Sequence, residues 1–225
     1  MRALDTTHSV TLIEAQVEAL SLTELTTDHT RLEEAIDFLN STGSPTNRVI
    51  DATTEAIVTL LQTGSPRSAV VVVTDGIDVG SNRNLEEFQR VLRLATIPMY
   101  VLAVDNLKGY TGNLGASTAG PRAGTEFRGA LAGLAASMER VYYDRRDQWR
   151  DLAETSGGGF FDTEDEGSLS EWYDELMGRL HATYTFYYYS DGGQGLVPVD
   201  VRVNHPGAQV HAPEGIWFLD SADAN

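Results

Sequence analysis

The run Ser68 to Thr74 (SAVVVVT) constrains this chain more than any other segment. Five consecutive apolar residues, four of them valine, stop abruptly at Asp75-Gly76. A run of that length without polar alternation fits a central parallel strand buried on both faces. Helical spacing follows from about Asn84 to Ala95, and Pro98 to Val104 (PMYVLAV) is a second apolar strand. Strand, helix, strand with short joins is a βαβ unit. Its right-handed crossover commits the chain to a parallel sheet.

The flanks extend this unit. Val10 to Glu14 and Val17 to Leu25 read as an antiparallel pair, followed by an N-cap at Thr27-Asp28 and a helix carrying Leu32, Ala35, Ile36 and Leu39. Asn47 to Gln62 is a further helix, with Val49, Ile50, Ala56, Ile57, Leu60 and Leu61 inward. Asn106 to Gly124 is a long Gly-rich loop. Phe127, Leu131, Leu134, Met138 and Val141 recur at spacings of 4, 3, 4 and 3, an amphipathic helix reaching to about Trp149. Its stripe docks either on its own domain or on a partner helix. Ser156 to Phe161 turns into a short strand, and Leu169 to Leu180 is helical. Thr183 to Tyr189, Val197 to Val203, Gln209 to His211 and Ile216 to Leu219 then read as short antiparallel strands, with Pro206-Gly207 as a turn and Val210 and Trp217 on the buried side.

Composition removes several functions. The chain has 225 residues, 33 acidic against 16 basic, for a net charge of −17. A nucleic-acid backbone binder or a polybasic membrane-surface protein needs the opposite sign. Cysteine is absent, so thiolate metal sites, disulfides and cysteine nucleophiles are excluded. No apolar run approaches the ~20 residues of a membrane span, and Met1 to Ser9 has no signal-peptide pattern. There is no G-x-S-x-G elbow, no H-E-x-x-H and no G-x-x-x-x-G-K loop, so no catalytic residues are assigned.

Four segments carry a resemblance. LTELTTDHTRLEEAI (22–36), VVVVTDGIDVGS (70–81), DLAETSGGGFF (151–161) and VDVRVNHPGAQVHAPEGIW (199–217) occur in this order. Together they resemble a von Willebrand factor A (VWA) domain, more narrowly the bacterial VWFA-related Acidobacterial family. The resemblance implies a doubly wound, mostly parallel, Rossmann-like α/β sheet over residues 1–182, with a small antiparallel β appendage over 183–225. The chain enters the family pattern at its second strand. A missing first strand and helix would leave an unpaired edge at Val70–Thr74 or Val10–Glu14.

The resemblance also implies a divalent cation, Mg²⁺ or Ca²⁺, at the carboxyl edge of the sheet, held by hard oxygen ligands. Carried over by position, Asp75 is the clean metal match, with Asn47 or Thr46 at the threonine position. Asp5, Thr7 and Ser9 have the D-x-T-x-S spacing of the remaining loop but lie directly before an extended stretch. With so few ligands, the expected affinity of this chain alone is weak or absent. Asp75 reads equally as a turn residue, and Asp78 with Ser81 either stand behind it or cap the next helix. His205 and His211 flank the Pro-Gly turn as surface residues or a two-His site, whereas His8, His29 and His181 share no evident face. Tyr184, Tyr187, Tyr188 and Tyr189 read as strand packing or as a stacking surface, and Asp162 to Glu166 (DTEDE) as a solvated loop or weak calcium site.

The function expected from this reading is a non-catalytic protein-binding or assembly subunit with a VWA-like core and a degenerate metal-ion-dependent adhesion site. One alternative is a structural subunit that completes its sheet with a partner chain; a remoter one is a metal-dependent hydrolase. The stripe Phe127, Leu131, Leu134, Met138 and Val141 is the candidate partner surface. A heteromeric partner is favoured by the acidic charge, and the resemblance implies an extracytoplasmic setting.

Overall fold

The computed structural model describes residues 8–39, 47–65, 67–111, 124–163, 169–187 and 195–218. The fold is α/β. Strands β3 (Val70–Thr74), β4 (Met99–Ala103) and β5 (Gly159–Asp162) form a parallel sheet in the order β3-β4-β5. Register runs from Val70 opposite Met99 to Thr74 opposite Ala103, and from Tyr100 opposite Gly159 to Ala103 opposite Asp162. The expected βαβ unit is present, with α3 (Leu85–Ala95) as its crossover. Asn84 and Glu87 close a reciprocal capping box at the start of α3.

The sheet's first face carries the core. Val70, Val72, Met99 and Val101 pack against Ile57 of α2 (Val49–Thr63), Phe88 and Leu92 of α3, and Trp149 and Leu152 of α5 (Thr125–Thr155). The second face is covered by α6 (Leu169–His181), where Trp172 meets Phe161 edge-on and Arg179 lies 5.3 Å from the Phe161 ring centre. This cover reaches β4, which is buried throughout, but not β3. Val71 is 42% and Val73 63% exposed. The expectation that this strand is buried on both faces is therefore corrected: β3 is an edge strand among the described residues, with one face open.

The N-terminal reading holds. Strands β1 (Ile13–Ala15) and β2 (Ala19–Ser21) pair antiparallel, and Asp28 caps α1 (His29–Phe38) through Oδ1, which accepts the Thr30 N–H at 3.1 Å. Both strands pack on α2. The calls on Asp5, Thr7 and Thr46 lie outside the described residues. Within the Gly-rich stretch, Leu107–Thr111 forms the short helix α4.

The C-terminal region is only partly as expected. An antiparallel pair forms from β6 (Gly195–Pro198) and β7 (Gly215–Phe218), with Leu196 opposite Trp217. It is anchored on the core by packing of β7 on α3, by a bridge between Ser156 and Pro213, and by the Glu214 N–H donating to Thr155 O at 3.1 Å. Among the described residues the remaining expected strands do not form. Thr183 to Tyr187 is irregular, with Tyr184 and Tyr187 exposed; Tyr188 and Tyr189 lie outside the described residues. Val201, Val203 and Val210 are exposed, and Trp217 is only half-buried. An alternating pattern closes a face only when an opposing surface exists, and no described element covers 199–211.

Gly158 explains the G-G-G run before β5. A Cβ there would lie 1.9 Å from Met99 O, a backbone atom that cannot retreat without breaking the β4 ladder. Gly158→Ala is expected to destabilise the chain by about 2 kcal/mol or more, read as a lowered midpoint in chemical unfolding.

Candidate functional site

The carboxyl ends of β3, β4 and β5 meet at one edge of the sheet, the place where open α/β sheets put their ligands. At the end of β3, Thr74 Oγ1 accepts the Gly76 N–H at 3.1 Å. Asp75 Oδ1 accepts the Ile77 N–H at 3.0 Å, and Oδ2 accepts Asn106 Nδ2 at 2.9 Å. Gly76 takes φ of 89°, and its carbonyl accepts the Trp149 indole N–H at 3.1 Å. A Cβ at Gly76 would also come within 3.0 Å of Arg146 Cγ. The turn therefore needs glycine both for its conformation and for the approach of α5.

The next loop serves α2. Arg48 gives that helix no side-chain cap. Asp78 Oδ2 instead accepts the Ile50 N–H at 2.9 Å, and Ser81 Oγ accepts the Asp51 N–H at 3.2 Å while donating to Asp78 Oδ2 at 2.6 Å. Asp51 returns the contact by accepting the N–H groups of Asn82 at 2.8 Å and Arg83 at 3.3 Å. The expected cap on the following helix is corrected: Asp78 and Ser81 cap α2 across the chain, and α3 is capped by Asn84. Asp78 also sits at the positive end of the helix dipole. Asn47 pairs its backbone with Val79 and donates Nδ2 to Ile77 O at 3.2 Å.

A second set of residues at this edge, apart from Asp162, was not singled out from the sequence. Arg146 is buried; its Nη2 pairs with Asp162, and its Nη1 donates to Tyr142 Oη at 2.8 Å and Val104 O at 2.9 Å. Tyr142 Oη also accepts the Asn106 N–H at 2.9 Å. Burial pushes the Tyr142 hydroxyl above the ordinary tyrosine range, opposed by the Asn106 hydrogen bond and by the Arg146 charge. Asp162 is therefore the end of β5 and the partner of a buried arginine rather than part of a solvated acidic loop; residues 164–166 lie outside the described residues. A sequence signal existed: Arg146 falls four residues after Tyr142 and three before Trp149, on the buried face of one helix. A charge on that face requires a partner.

Asn106 joins the two sets, with its amide on Asp75 and its backbone on Tyr142. The edge is a continuous hydrogen-bonded chain across all three strand ends. These donors do not fit a divalent cation. Among the described residues no three His, Asp or Glu side chains assemble as metal ligands, and the Asn106 amide presents a donor to the Asp75 oxygen. Mg²⁺ needs near-octahedral oxygen coordination.

The other candidates separate. The His8 and His181 rings meet edge-on at 5.8 Å, although they share no element. His205 O accepts the Ala208 N–H in a turn at 3.2 Å. Partial burial, then the Arg179 charge, hold the His211 imidazole below its ordinary value. On α5, Phe127 is 55%, Leu134 50% and Val141 43% exposed, with Leu131 and Met138 half-buried.

No family model matches the chain, and no curated protein matches it. Solved structures with a related arrangement include the conserved hypothetical protein BatB from Bacteroides thetaiotaomicron. It is 13% identical, the match covering 80% of this chain and 82% of that one, with a TM-score of 0.45. An uncharacterised membrane-spanning protein from Vibrio fischeri is 15% identical over 76% and 75%, with a TM-score of 0.30. Likenesses at these scores leave function to be argued from the chain itself. Among the described residues, no helix is long and apolar enough to cross a membrane.

Removing one partner of a buried ion pair leaves the other uncompensated. Asp162→Ala is therefore expected to cost about 3–5 kcal/mol. Asp75→Ala, whose carboxylate is less buried and meets no cation among the described residues, is expected to cost about 1–2 kcal/mol. Paired urea titrations of the two variants check the order.

Proposed function

We propose that the chain is a non-catalytic protein-binding or assembly subunit built on a VWA-like core. The observation that carries this reading is the first half of α5. The helix is 31 residues long, and its second half is buried through Tyr142, Arg146, Trp149, Leu152 and Ala153. Its first half bears an apolar stripe in which Phe127, Leu134 and Val141 stand about half exposed. An amphipathic helix face of this kind gains most by docking in a partner's groove. The net charge of −17 favours a partner of different composition over a second copy.

The test is direct. Phe127→Asp with Leu134→Asp should leave the melting midpoint nearly unchanged, since neither side chain belongs to the core. The double substitution should abolish co-purification of a stoichiometric partner from the producing cells. A wild-type chain isolated from those cells as a free monomer would overturn the reading.

The site gives a second expectation. With Asp75 engaged by Ile77 and Asn106, this chain alone should bind Mg²⁺ or Ca²⁺ weakly or not at all. Sub-millimolar binding by calorimetry, lost in Asp75→Ala, would show instead that the edge rearranges into an adhesion-type metal site.

A further inference from the structure

The Asn106 carboxamide is aimed at Asp75 by the loop that carries it. The Val104 N–H donates to Thr74 O at 2.8 Å, the Asp105 N–H to Thr163 Oγ1 at 3.0 Å and the Asn106 N–H to Tyr142 Oη at 2.9 Å. Three successive residues are thus tied to β3, to the residue that follows β5, and to α5. With its backbone held in this way, Asn106 keeps only its side-chain torsions, and its Nδ2 donates to Asp75 Oδ2 at 2.9 Å. The receiving carboxylate is oriented as well, because Oδ1 accepts the Ile77 N–H at 3.0 Å. Restraint of both partners removes much of the ordering entropy that weakens an ordinary surface contact.

Gly109 supplies the space. It lies in α4 with a helical backbone and no positive φ, so its conformation does not call for glycine. A glycine inside a helix lowers helix stability relative to alanine. What it gives in return is room. A Cβ at Gly109 would lie 2.1 Å from Asn106 Oδ1, 2.9 Å from Cγ and 3.2 Å from Nδ2. All three atoms belong to the carboxamide. Alanine at this position fits only if the carboxamide turns away, and that movement breaks the bond to Asp75.

We infer that Asn106 and Gly109 form a built-in latch: Gly109 seats the carboxamide, and the amide occupies the Asp75 oxygen that the resemblance offers to a cation. The edge is closed there by a neutral donor of the chain itself, and the start of α4 is fastened to the end of β3. A divalent cation at Asp75 would have to expel the carboxamide, since an N–H directed at the oxygen stands where the cation's own bond must form. The latch lies at the sheet edge, apart from the α5 stripe. It does not rest on the protein-binding reading, and either can fail alone.

Melting midpoints of the full chain test the latch in two cycles. Gly109→Ala should lower the wild-type midpoint by about 2–4 °C, although the same change ordinarily stabilises a helix. In an Asn106→Ala background the carboxamide is gone, and Gly109→Ala should raise the midpoint instead. Any other pair of signs would overturn the inference. The second cycle exchanges the two partners. Asn106→Asp sets two carboxylates against each other, and Asp75→Asn removes one of the two acceptor oxygens, so each should lower the midpoint. In the double variant the amide at 75 donates to the carboxylate at 106, while its carbonyl still accepts the Ile77 N–H. Its midpoint should lie above those of both single variants, and a value at or below either would overturn the inference. Calcium then tests whether the amide stands in a cation's place. Millimolar calcium should raise the midpoint of Asn106→Asp by more than that of wild type or the double variant, whose shifts report only the general response of an acidic chain. A shift in Asn106→Asp no larger than theirs would overturn the inference.

Discussion

Arg146 lies buried among the ends of three strands, where an unpaired guanidinium would cost several kcal/mol. The arrangement of the sheet edge follows from that constraint. Asp162 must end β5 at the height of α5 to supply the countercharge, and Tyr142 and Val104 take a second guanidinium nitrogen. Asn106 then meets Tyr142 through its backbone and Asp75 through its amide. The register of β3, β4 and β5 at their carboxyl ends is thus fixed by hydrogen bonds outside the ladders. A planar donor with five N–H groups suits this role, because it binds several acceptors in one plane. Trp149, one turn further along α5, holds the neighbouring turn through Gly76 O.

The same edge illustrates how a ligand-type loop is put to structural use. In a T-D-G turn the aspartate stands at the mouth of the sheet, where a cation or polar ligand could reach it. Here its oxygens meet the Ile77 N–H and the Asn106 amide. Asp78, Ser81 and Asp51 bind backbone donors reciprocally between α2 and the following loop. Each of these bonds satisfies a group that a helix terminus or loop would otherwise leave open. Their combined effect is to lock α2 against the carboxyl end of β3, and α2 in turn carries the β1–β2 hairpin.

Local signals were the legible ones. The valine run, the Pro98 strand, the Asp28 cap and the paired extended segments near the N-terminus all appear, because each depends on contacts close in sequence or on a strong apolar pattern. What failed depended on neighbours the pattern cannot name. The valine run looked buried on both faces because the sequence does not say which strands the helix from Leu169 covers; α6 covers β4 and β5 only. Val199 to Val203 alternated like a half-buried strand, yet beyond the Val199 N–H bond to Glu214 O no strand among the described residues pairs with it, and Val201 and Val203 remain exposed. Arg146 escaped notice because an arginine in a helix usually marks the wet face; only its spacing from Tyr142 and Trp149 placed it inside. Asp78 and Ser81 were read as a cap, but the helix they cap lies thirty residues earlier and could not be inferred from spacing.

The acidity of the chain takes on a specific meaning beside an open edge. Edge strands invite pairing with copies of themselves, and proteins commonly guard them with charged residues in the strand or with bulges. Strand β3 has neither: between Arg67 and Asp75 no residue is charged, and its ladder to β4 is regular. Among the described residues, the protection that remains is the charge of the molecule as a whole. A net charge of −17 on 225 residues repels a second copy over about a Debye length, roughly 8–10 Å at physiological ionic strength. That range spans the approach of two edges but not contacts already formed. The repulsion therefore acts on encounter between copies rather than on contacts within one chain. Net charge and local neutrality thus act at different ranges: the first opposes the approach of copies, while the second leaves the exposed valines of β3 without a charge of their own.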